Sequence, residues 1–276
     1  MILFPNAKIN IGLYITSKRP DGYHNLETLF YPVEWSDVLE IVPAKGTETT
    51  LTVTGNTVEC PPEKNLVIKA YRALNEAIPL PPVDIYLHKT IPDGAGLGGG
   101  SADAAFTLKG LNDLFGLELT DDRLAEIAAG IGADCPFFIY NRPMLARGIG
   151  NEFTPCEVDL TGKTIAIVKP GESVSTREAY SGVVPAAPEY DLHPALLENI
   201  TMWKEKISND FERSIFPAHP SIGSVKEKLY ELGAEYASMS GSGAAVYGIF
   251  SNGSADRLSE ILPKIFPDCA TFTGEM

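Results

Sequence analysis

Five glycines lie close together in residues 92–103, Pro-Asp-Gly-Ala-Gly-Leu-Gly-Gly-Gly-Ser-Ala-Asp. A strand-like pattern at 83–88 precedes them, and an amphipathic helical pattern at 102–115 follows. Glycine lets backbone N–H groups approach a ligand closely, and a helix N-terminus carries about half a positive charge. The segment therefore predicts a cradle for phosphate groups. A flexible linker would instead be rich in serine and would lack periodic flanks.

Two common phosphate-binding loops do not fit this context. Three of the glycines formally match Gly-x-Gly-x-x-Gly, the dinucleotide fingerprint, which needs a buried parallel strand before it. Residues 83–88 instead alternate between apolar and polar, which favours an antiparallel or edge strand, and helices follow the loop. A Walker loop fails because Glu157 stands where the first glycine must lie, ahead of Gly162-Lys163-Thr164.

Two charged residues interrupt apolar surroundings. Asp134 follows Gly132 and Ala133 and precedes the apolar run 137–139, which reads as a strand. A carboxylate in that position is either a cap or a functional group placed for chemistry. Lys8 interrupts an apolar strand, and the pattern alone favours a side chain that faces solvent.

The elements that must position these residues suggest two lobes. The 276 residues correspond to about two domains at roughly 150 residues each. Strands are predicted at 9–16, 25–35, 37–42, 49–54, 83–88, 164–169, 235–239, 244–250 and 269–273. Helices are predicted at 66–78, 102–115, 121–131, 194–207, 221–232 and 254–266. The prediction is α+β, with a lobe at 1–155 that contains the glycine-rich loop and a second lobe at 156–276.

Charge and cysteine content narrow the class of partner. Lys and Arg number 22 against 36 Asp and Glu, so the net charge of −14 argues against nucleic acid and anionic membranes. The four cysteines are scattered without a Cys-x-x-Cys pair, as expected of reduced thiols in the cytoplasm. The N-terminus lacks the pattern of a signal peptide, and no apolar run is long enough to span a membrane. We therefore expect a soluble protein of the cytoplasm.

The glycine-rich string closely resembles the ATP-binding loop of the GHMP kinases, which include galactokinase, homoserine kinase and mevalonate kinase. Four further blocks narrow the resemblance to members that act on a cytidylyl diphosphate polyol. They are an opening strand at 5–13, a substrate turn at 19–24, a catalytic segment at 132–138 and a C-terminal glycine motif at 238–244. These blocks occur in the family's order and span nearly the whole chain. Asp93 and Ala95 depart from the commonest loop pattern.

The resemblance implies transfer of the γ-phosphate of ATP, accompanied by Mg²⁺, to the 2-hydroxyl of 4-diphosphocytidyl-2-C-methyl-D-erythritol. This reaction belongs to the non-mevalonate route to isoprenoid precursors. The resemblance also implies a fold of two α+β lobes, with ATP and substrate in the cleft between them. The expected partners are these two small molecules, bound by a monomer or homodimer.

The resemblance assigns catalytic and nucleotide-binding roles. Asp134 is the expected general base that accepts the hydroxyl proton. Lys8 is expected beside it, keeping the carboxylate ionised and steadying the transferred phosphoryl group. Ser101 is a helix cap, a ligand toward Mg²⁺ and phosphate, or both. The residues expected to hold ATP are Pro92, Asp93, Gly94, Ala95, Gly96, Leu97, Gly98, Gly99, Gly100, Ser101 and Ala102.

The resemblance also assigns five substrate-binding residues. Asn10 lies two positions after Lys8, on the same face of a strand, and is expected to hold the polyol. Tyr23 and Tyr180 are expected to stack on cytosine, and His24 to bond its edge. Thr176 falls where a substrate-contacting threonine is expected.

Two other functions also fit the sequence. The chain could phosphorylate another small molecule of the GHMP class, such as homoserine or mevalonate. It could also be a nucleotide-binding regulatory protein with an inactive site. The presence of both Lys8 and Asp134 argues against the inactive protein.

Overall fold

Regular structure covers most of the chain in a computed structural model, which describes residues 1–57 and 60–276. The strands are β1 (Ile2–Leu3), β2 (Asn6–Lys18), β3 (His24–Ser36), β4 (Val38–Pro43), β5 (Thr50–Gly55), β6 (Val83–Lys89), β7 (Met144–Arg147), β8 (Glu152–Pro155), β9 (Thr164–Lys169), β10 (Tyr236–Met239), β11 (Val246–Phe250) and β12 (Ala270–Glu275). The helices are α1 (Leu66–Ala77), α2 (Gly99–Leu114), α3 (Asp121–Ala129), α4 (Cys135–Tyr140), α5 (Thr176–Ser181), α6 (Leu192–Leu196), α7 (Trp203–Lys206), α8 (Glu212–Ala218), α9 (Pro220–Glu231) and α10 (Ala255–Ile265). The predicted mixture of helices and sheets is confirmed.

Contacts divide the chain into two units, each built from segments that are separate in sequence. The first unit consists of Met1–Ala7, Trp35–Asp93 and Gly98–Arg142. The second unit consists of Lys8–Glu34, Gly94–Leu97 and Pro143–Met276. The division into lobes at 1–155 and 156–276 stays a prediction.

The first unit contains a sheet with the strand order β1-β4-β6-β5. In β6, Val83, Ile85 and Leu87 are buried, as their alternation predicts. The expectation of an antiparallel or edge position is wrong in part, because β6 lies inside the sheet. It pairs antiparallel with β4 and parallel with β5. Alternation reports which face of a strand is buried, and it does not report how many neighbours the strand has.

The second unit contains the sheet β10-β11-β9-β12 and most of the sheet β2-β3-β7-β8. Every residue of β9 is buried, and antiparallel neighbours flank this strand on both sides. Ala166 and Val168 of β9 belong to a core cluster that includes Val225 of α9 and Leu258 of α10. This core brings the C-terminal helices against the sheet.

Two further sequence-based expectations are corrected. The helix predicted at 194–207 is broken into α6, a 3₁₀ turn at Ile200–Met202 and α7. The break occurs where the Asn199 side chain accepts a hydrogen bond from the N–H of Thr201 and competes with the helical pattern. The apolar strand predicted at 137–139 is part of α4, which begins with a proline in its first turn and ends at Asn141 in the left-handed region, φ +49°.

Among the described residues, no helix is both long enough and apolar enough to cross a membrane.

A buried ion cluster joins the end of β6 to α2 in the first unit. The Nζ atom of Lys89 lies 2.6 Å from Oδ2 of Asp103 and also contacts the carboxylate of Asp37. Asp37 accepts further hydrogen bonds from the N–H groups of Thr90 at 2.6 Å and Ile91 at 2.9 Å. Within the described part of the chain, Oδ1 of Asp103 has no partner. One ammonium therefore serves two buried carboxylates.

This arrangement predicts a pH dependence of stability. Burial raises the pKa of Asp103 to about 7, against the pull of Lys89 and with the help of Asp37. Between pH 4 and this value, the folded chain keeps a proton that the unfolded chain has released, so the free energy of unfolding falls as pH rises. We expect Asp103→Asn to remove this contribution, which amounts to at most about 1.4 kcal/mol per pH unit.

Urea unfolding of wild type and Asp103→Asn at several pH values between 4 and 8 measures the difference. The free energy of unfolding of wild type relative to the variant should decrease as pH rises. Parallel pH profiles for the two proteins would contradict the raised pKa.

Candidate active site

The glycine-rich loop leads directly from β6 into α2. Gly98 is the N-cap residue of α2, with φ +73°, and none of the described side chains caps this helix end. The first helical hydrogen bond runs from the N–H of Ala102 to the carbonyl of Gly98 at 2.9 Å. The N–H groups of Gly99, Gly100 and Ser101 therefore precede the helical bonding pattern and are suited to bind an anion.

The middle of the loop, Gly94–Leu97, is anchored within the second unit. Gly96 has φ +74°, and a Cβ atom there would lie 2.0 Å from the carbonyl oxygen of Ser240. The Ser240 hydroxyl donates to the carbonyl of Gly96 at 2.8 Å. The carbonyl of Ala95 accepts from the N–H of Ala245 at 3.1 Å, so this departure from the family pattern is accommodated. Only glycine fits at position 96, because both the backbone angle and the available space require it.

Lys8 is buried in β2, although the sequence pattern favoured a solvent-facing side chain. Its Nζ atom donates to the carbonyl of Gly96 at 2.9 Å and to Oδ1 of Asn10 at 2.6 Å. The same ammonium lies 4.8 Å from the centre of the Phe30 ring. The structure therefore brings Lys8 and Asn10 together with the glycine-rich loop.

Asn10 is held on both sides. Its Nδ2 atom donates to the hydroxyl of Thr28 at 3.0 Å, and Thr28 donates in turn to the carbonyl of Gly12 at 2.5 Å. Its backbone N–H donates to the Ser240 hydroxyl at 3.2 Å. The orientation of the Asn10 amide is thereby set by its neighbours, with Oδ1 facing Lys8.

Asp134 belongs to the first unit, where it precedes α4. It is partly buried, and its carboxylate does not cap α4. The next residue, Cys135, is fully buried, and burial raises the pKa of its thiol to about 11 despite a hydrogen bond with the Ser101 side chain. The starts of α2 and α4 are therefore adjacent. Ser101 is the third residue of α2 and does not cap it, which corrects the cap suggested by the sequence, and Asp134 directly precedes α4. The predicted pairing of Asp134 with Lys8 stays a prediction.

Two of the predicted cytosine-binding rings meet in the second unit. The His24 and Tyr180 rings are stacked, with their centroids 5.1 Å apart and an interplanar angle of 30°. Phe211 supports Tyr180 edge-on at 4.9 Å. Thr176 lies one turn before Tyr180 in α5 and shares its helix face. Tyr23 is 62% exposed, and its carbonyl closes a turn by accepting from the N–H of Arg19 at 2.8 Å.

Sequence reasoning missed the polar segment Ser208–Glu212. Asn209 is buried, and its side chain donates to the carbonyls of Met239 and Gly241, each at 2.8 Å. The sequence contains a signal for this segment: three consecutive residues with hydrogen-bonding side chains, 208–210, stand between the apolar Ile207 and Phe211. Such a run is unusual unless its members have specific partners.

Comparisons with known proteins identify the family of this chain. The model of the GHMP kinases N terminal domain matches residues 65–142, and that of the GHMP kinases C terminal domain matches residues 192–268. These matches cover the glycine-rich loop and α4 in the first case and α6 to α10 in the second. The chain therefore belongs to the GHMP kinase family and is a small-molecule kinase that uses ATP.

Relatives with high sequence identity carry a more specific name than the two family models do. A protein of Parabacteroides distasonis named 4-diphosphocytidyl-2-C-methyl-D-erythritol kinase is 52% identical over 276 residues, which is the whole of both chains. A protein of the same name from Bacteroides thetaiotaomicron is 54% identical and covers 91% of this chain and 92% of its own. A crystal structure of 4-(cytidine 5'-diphospho)-2C-methyl-D-erythritol kinase has a TM-score of 0.82 at 31% identity, covering 99% and 98% of the two chains. Within the GHMP kinases, the chain falls among the 4-diphosphocytidyl-2-C-methyl-D-erythritol kinases.

We expect Gly96→Ala to weaken ATP binding by at least about tenfold, a cost of about 1.4 kcal/mol. The new Cβ atom would collide with the Ser240 carbonyl and force the loop away from the turn after β10. Gly116→Ala is the matched control, because Gly116 has a similar φ of +57° and open space around its Cβ position. Calorimetric titration of each folded variant with ATP gives the comparison. Equal affinities of the two variants for ATP would show that Gly96 is not part of the ATP site.

Proposed function

We propose that this chain transfers the γ-phosphate of ATP to the 2-hydroxyl of 4-diphosphocytidyl-2-C-methyl-D-erythritol. The proposal rests on the set of residues that the second unit brings together. It combines the anchored loop segment Gly94–Leu97 and the Lys8 ammonium with the stacked His24–Tyr180 rings. The first two features suit a phosphate group, and the rings suit a planar base. A cytidylyl diphosphate alcohol presents both kinds of group.

The residues present fit ATP. The uncapped start of α2 offers backbone donors and the positive end of a 16-residue helix. The Cβ position of Gly94 has open space around it, so backbone and ligand can approach closely there. These local donors allow a chain with a net charge of −14 to bind a highly anionic nucleotide.

Mg²⁺ accompanies ATP in this proposal. No group of three or more acidic, cysteine or histidine side chains suited to a metal occurs in the described ranges. That fits Mg²⁺, which keeps several waters and is commonly held by substrate phosphates and few protein ligands. The Ser101 hydroxyl at the start of α2 is the side chain we assign to it. When bound, the ion neutralises charge on the phosphates.

Lys8 and Asp134 carry the chemistry. The ammonium of Lys8 is fixed by two acceptors, so its charge needs no reorganisation when the phosphoryl group arrives. The carboxylate of Asp134 receives the proton of the substrate hydroxyl or orients that hydroxyl for attack. Asn10 holds the polyol, while Tyr23, His24 and Tyr180 hold the cytosine and Thr176 contacts the substrate nearby. The chain is expected to act in the cytoplasm, where its free cysteines stay reduced.

The alcohol substrate is tested by ADP release in the presence of Mg²⁺ with a panel of acceptors. We expect turnover of the cytidylyl compound and far slower turnover of methylerythritol 4-phosphate, free methylerythritol, homoserine and mevalonate. The reason is that the smaller alcohols cannot use the base-binding rings. If methylerythritol 4-phosphate were turned over as fast as the cytidylyl compound, the rings would not be part of the substrate site. Turnover of homoserine or mevalonate alone would identify another kinase of the family.

We expect Asp134→Asn to lower kcat by about 10²- to 10⁴-fold, equivalent to about 3–5 kcal/mol of barrier. The substitution keeps the shape but removes the base and one negative charge, so ATP affinity should hold or improve slightly. Lys8→Met should also lower kcat. The fold-loss in kcat of the double variant should be smaller than the product of the two single losses, because both residues serve the same chemical step.

Steady-state kinetics and ATP titration of the three variants measure these effects. Circular dichroism and thermal unfolding control for folding, since Lys8→Met leaves the Gly96 carbonyl without its ammonium donor. A kcat of Asp134→Asn close to that of wild type would defeat both the base and the orienting role.

A further inference from the structure

The segment Ser208–Glu212, which follows α7, holds backbone groups elsewhere in the second unit. Asn209 is 2% exposed. Its Nδ2 atom donates to the carbonyls of Met239 and Gly241, and its Oδ1 atom accepts from the N–H of Phe211 at 3.0 Å. Both amide hydrogens and the amide oxygen are therefore engaged. Together they hold the turn that follows β10.

The same segment is attached to β2, the strand that carries Lys8. The N–H of Leu13 donates to the carbonyl of Ser208 at 2.9 Å, and the N–H of Asp210 donates to the carbonyl of Leu13 at 2.8 Å. The carboxylate of Asp210 also accepts from the N–H of Ile15 at 2.8 Å. The segment thus joins the middle of β2 to the turn after β10.

The position of this turn determines where Gly96 lies. Ser240 stands between the two residues whose carbonyls Asn209 holds. Its hydroxyl donates to the Gly96 carbonyl at 2.8 Å, and that carbonyl is the acceptor of Lys8 Nζ at 2.9 Å. A shift of the turn would therefore move the group against which the ammonium is held. The effect of Asn209 on Lys8 passes through Ser240 and Gly96.

We propose that Asn209 is a positioning residue for phosphoryl transfer, acting through the Ser240 turn on the Gly96 carbonyl and the Lys8 ammonium. The proposal rests on the proposed function in one respect, that Lys8 takes part in the chemistry. It assigns Asn209 no contact with ATP or with the alcohol.

The first test compares Asn209→Ala with Lys226→Met in steady-state kinetics. Misplacement of a catalytic group should lower kcat of Asn209→Ala by about 10- to 100-fold. The KM for the cytidylyl substrate should change less than kcat, because the side-chain hydrogen bonds of Asn209 go to backbone groups and to neither ring of the His24–Tyr180 stack. Lys226→Met is the control: it breaks the 2.6 Å ion pair with Glu212 without removing a bond to the turn, and its kcat should be unchanged.

A purely structural Asn209 would lower the thermal midpoint and leave kcat of the folded enzyme at the level of the control, and that result overturns the proposal. Ser240→Ala provides a second variant if Asn209→Ala does not fold. It should reproduce the loss in kcat, and an unchanged kcat would likewise overturn the proposal. Where both single variants fold, the double variant should lose less than the product of their losses, since both interrupt one chain of contacts.

Amide hydrogen exchange gives a readout that does not depend on the substrate. Peptides covering Gly94–Leu97 should exchange faster in Asn209→Ala than in Lys226→Met. The reason is that the Ser240 turn, which holds this segment, is no longer fixed by Asn209. Equal exchange in the two variants contradicts the proposal. If wild type fails to phosphorylate the cytidylyl compound, the proposed function falls, and the exchange comparison still decides the role of Asn209 in holding the loop.

Discussion

The carbonyl of Gly96 accepts two hydrogen bonds, one from the Lys8 ammonium and one from the Ser240 hydroxyl, and much of the site depends on that shared acceptor. A buried ammonium is costly unless acceptors surround it. Lys8 meets this need with a backbone carbonyl, an amide oxygen and an aromatic face. The loop can offer its carbonyl only because residue 96 is glycine. Any side chain there would enter the space occupied by the Ser240 carbonyl.

The anion site has to be electropositive in a strongly acidic chain. The buried ammonium of Lys89 lies close to the backbone of Gly99, at 3.3 Å from the position of a Cβ atom there. Its charge, however, is matched by the carboxylates of Asp37 and Asp103. It therefore anchors α2 and adds little net positive potential. The proposed phosphate site then relies on backbone N–H groups and the dipole of α2.

Side-chain hydrogen bonds to backbone groups hold the irregular parts of the second unit. Asn209 donates to the carbonyl of Met239 at the end of β10 and to that of Gly241 in the turn that follows. Glu212 accepts from the N–H of Met239 at 2.8 Å and so holds the end of the same strand. Buried backbone groups outside the ladders need such partners. These polar side chains of the interior therefore fix the geometry of the turn that follows β10.

The local features of the site could be predicted from the sequence. The glycine-rich loop and the helix that follows it are readable because turn chemistry and periodicity act over a few residues. Family motifs pointed to Asp134 and to the rings of His24 and Tyr180, and the structure stacks these two rings. Periodicity also predicted the buried face of β6.

Tertiary structure decided which of these features meet. Lys8 and Gly96 are 88 residues apart in sequence, and Ser240 and Gly96 are 144 apart. The pattern around Lys8 favoured exposure because periodicity reports only the face on which a residue lies. Its burial depends on acceptors that distant segments supply. The interior place of β6, the helix at Cys135–Tyr140 and the role of Asn209 were undetermined for the same reason. Each depends on partners that come together only when the chain has folded.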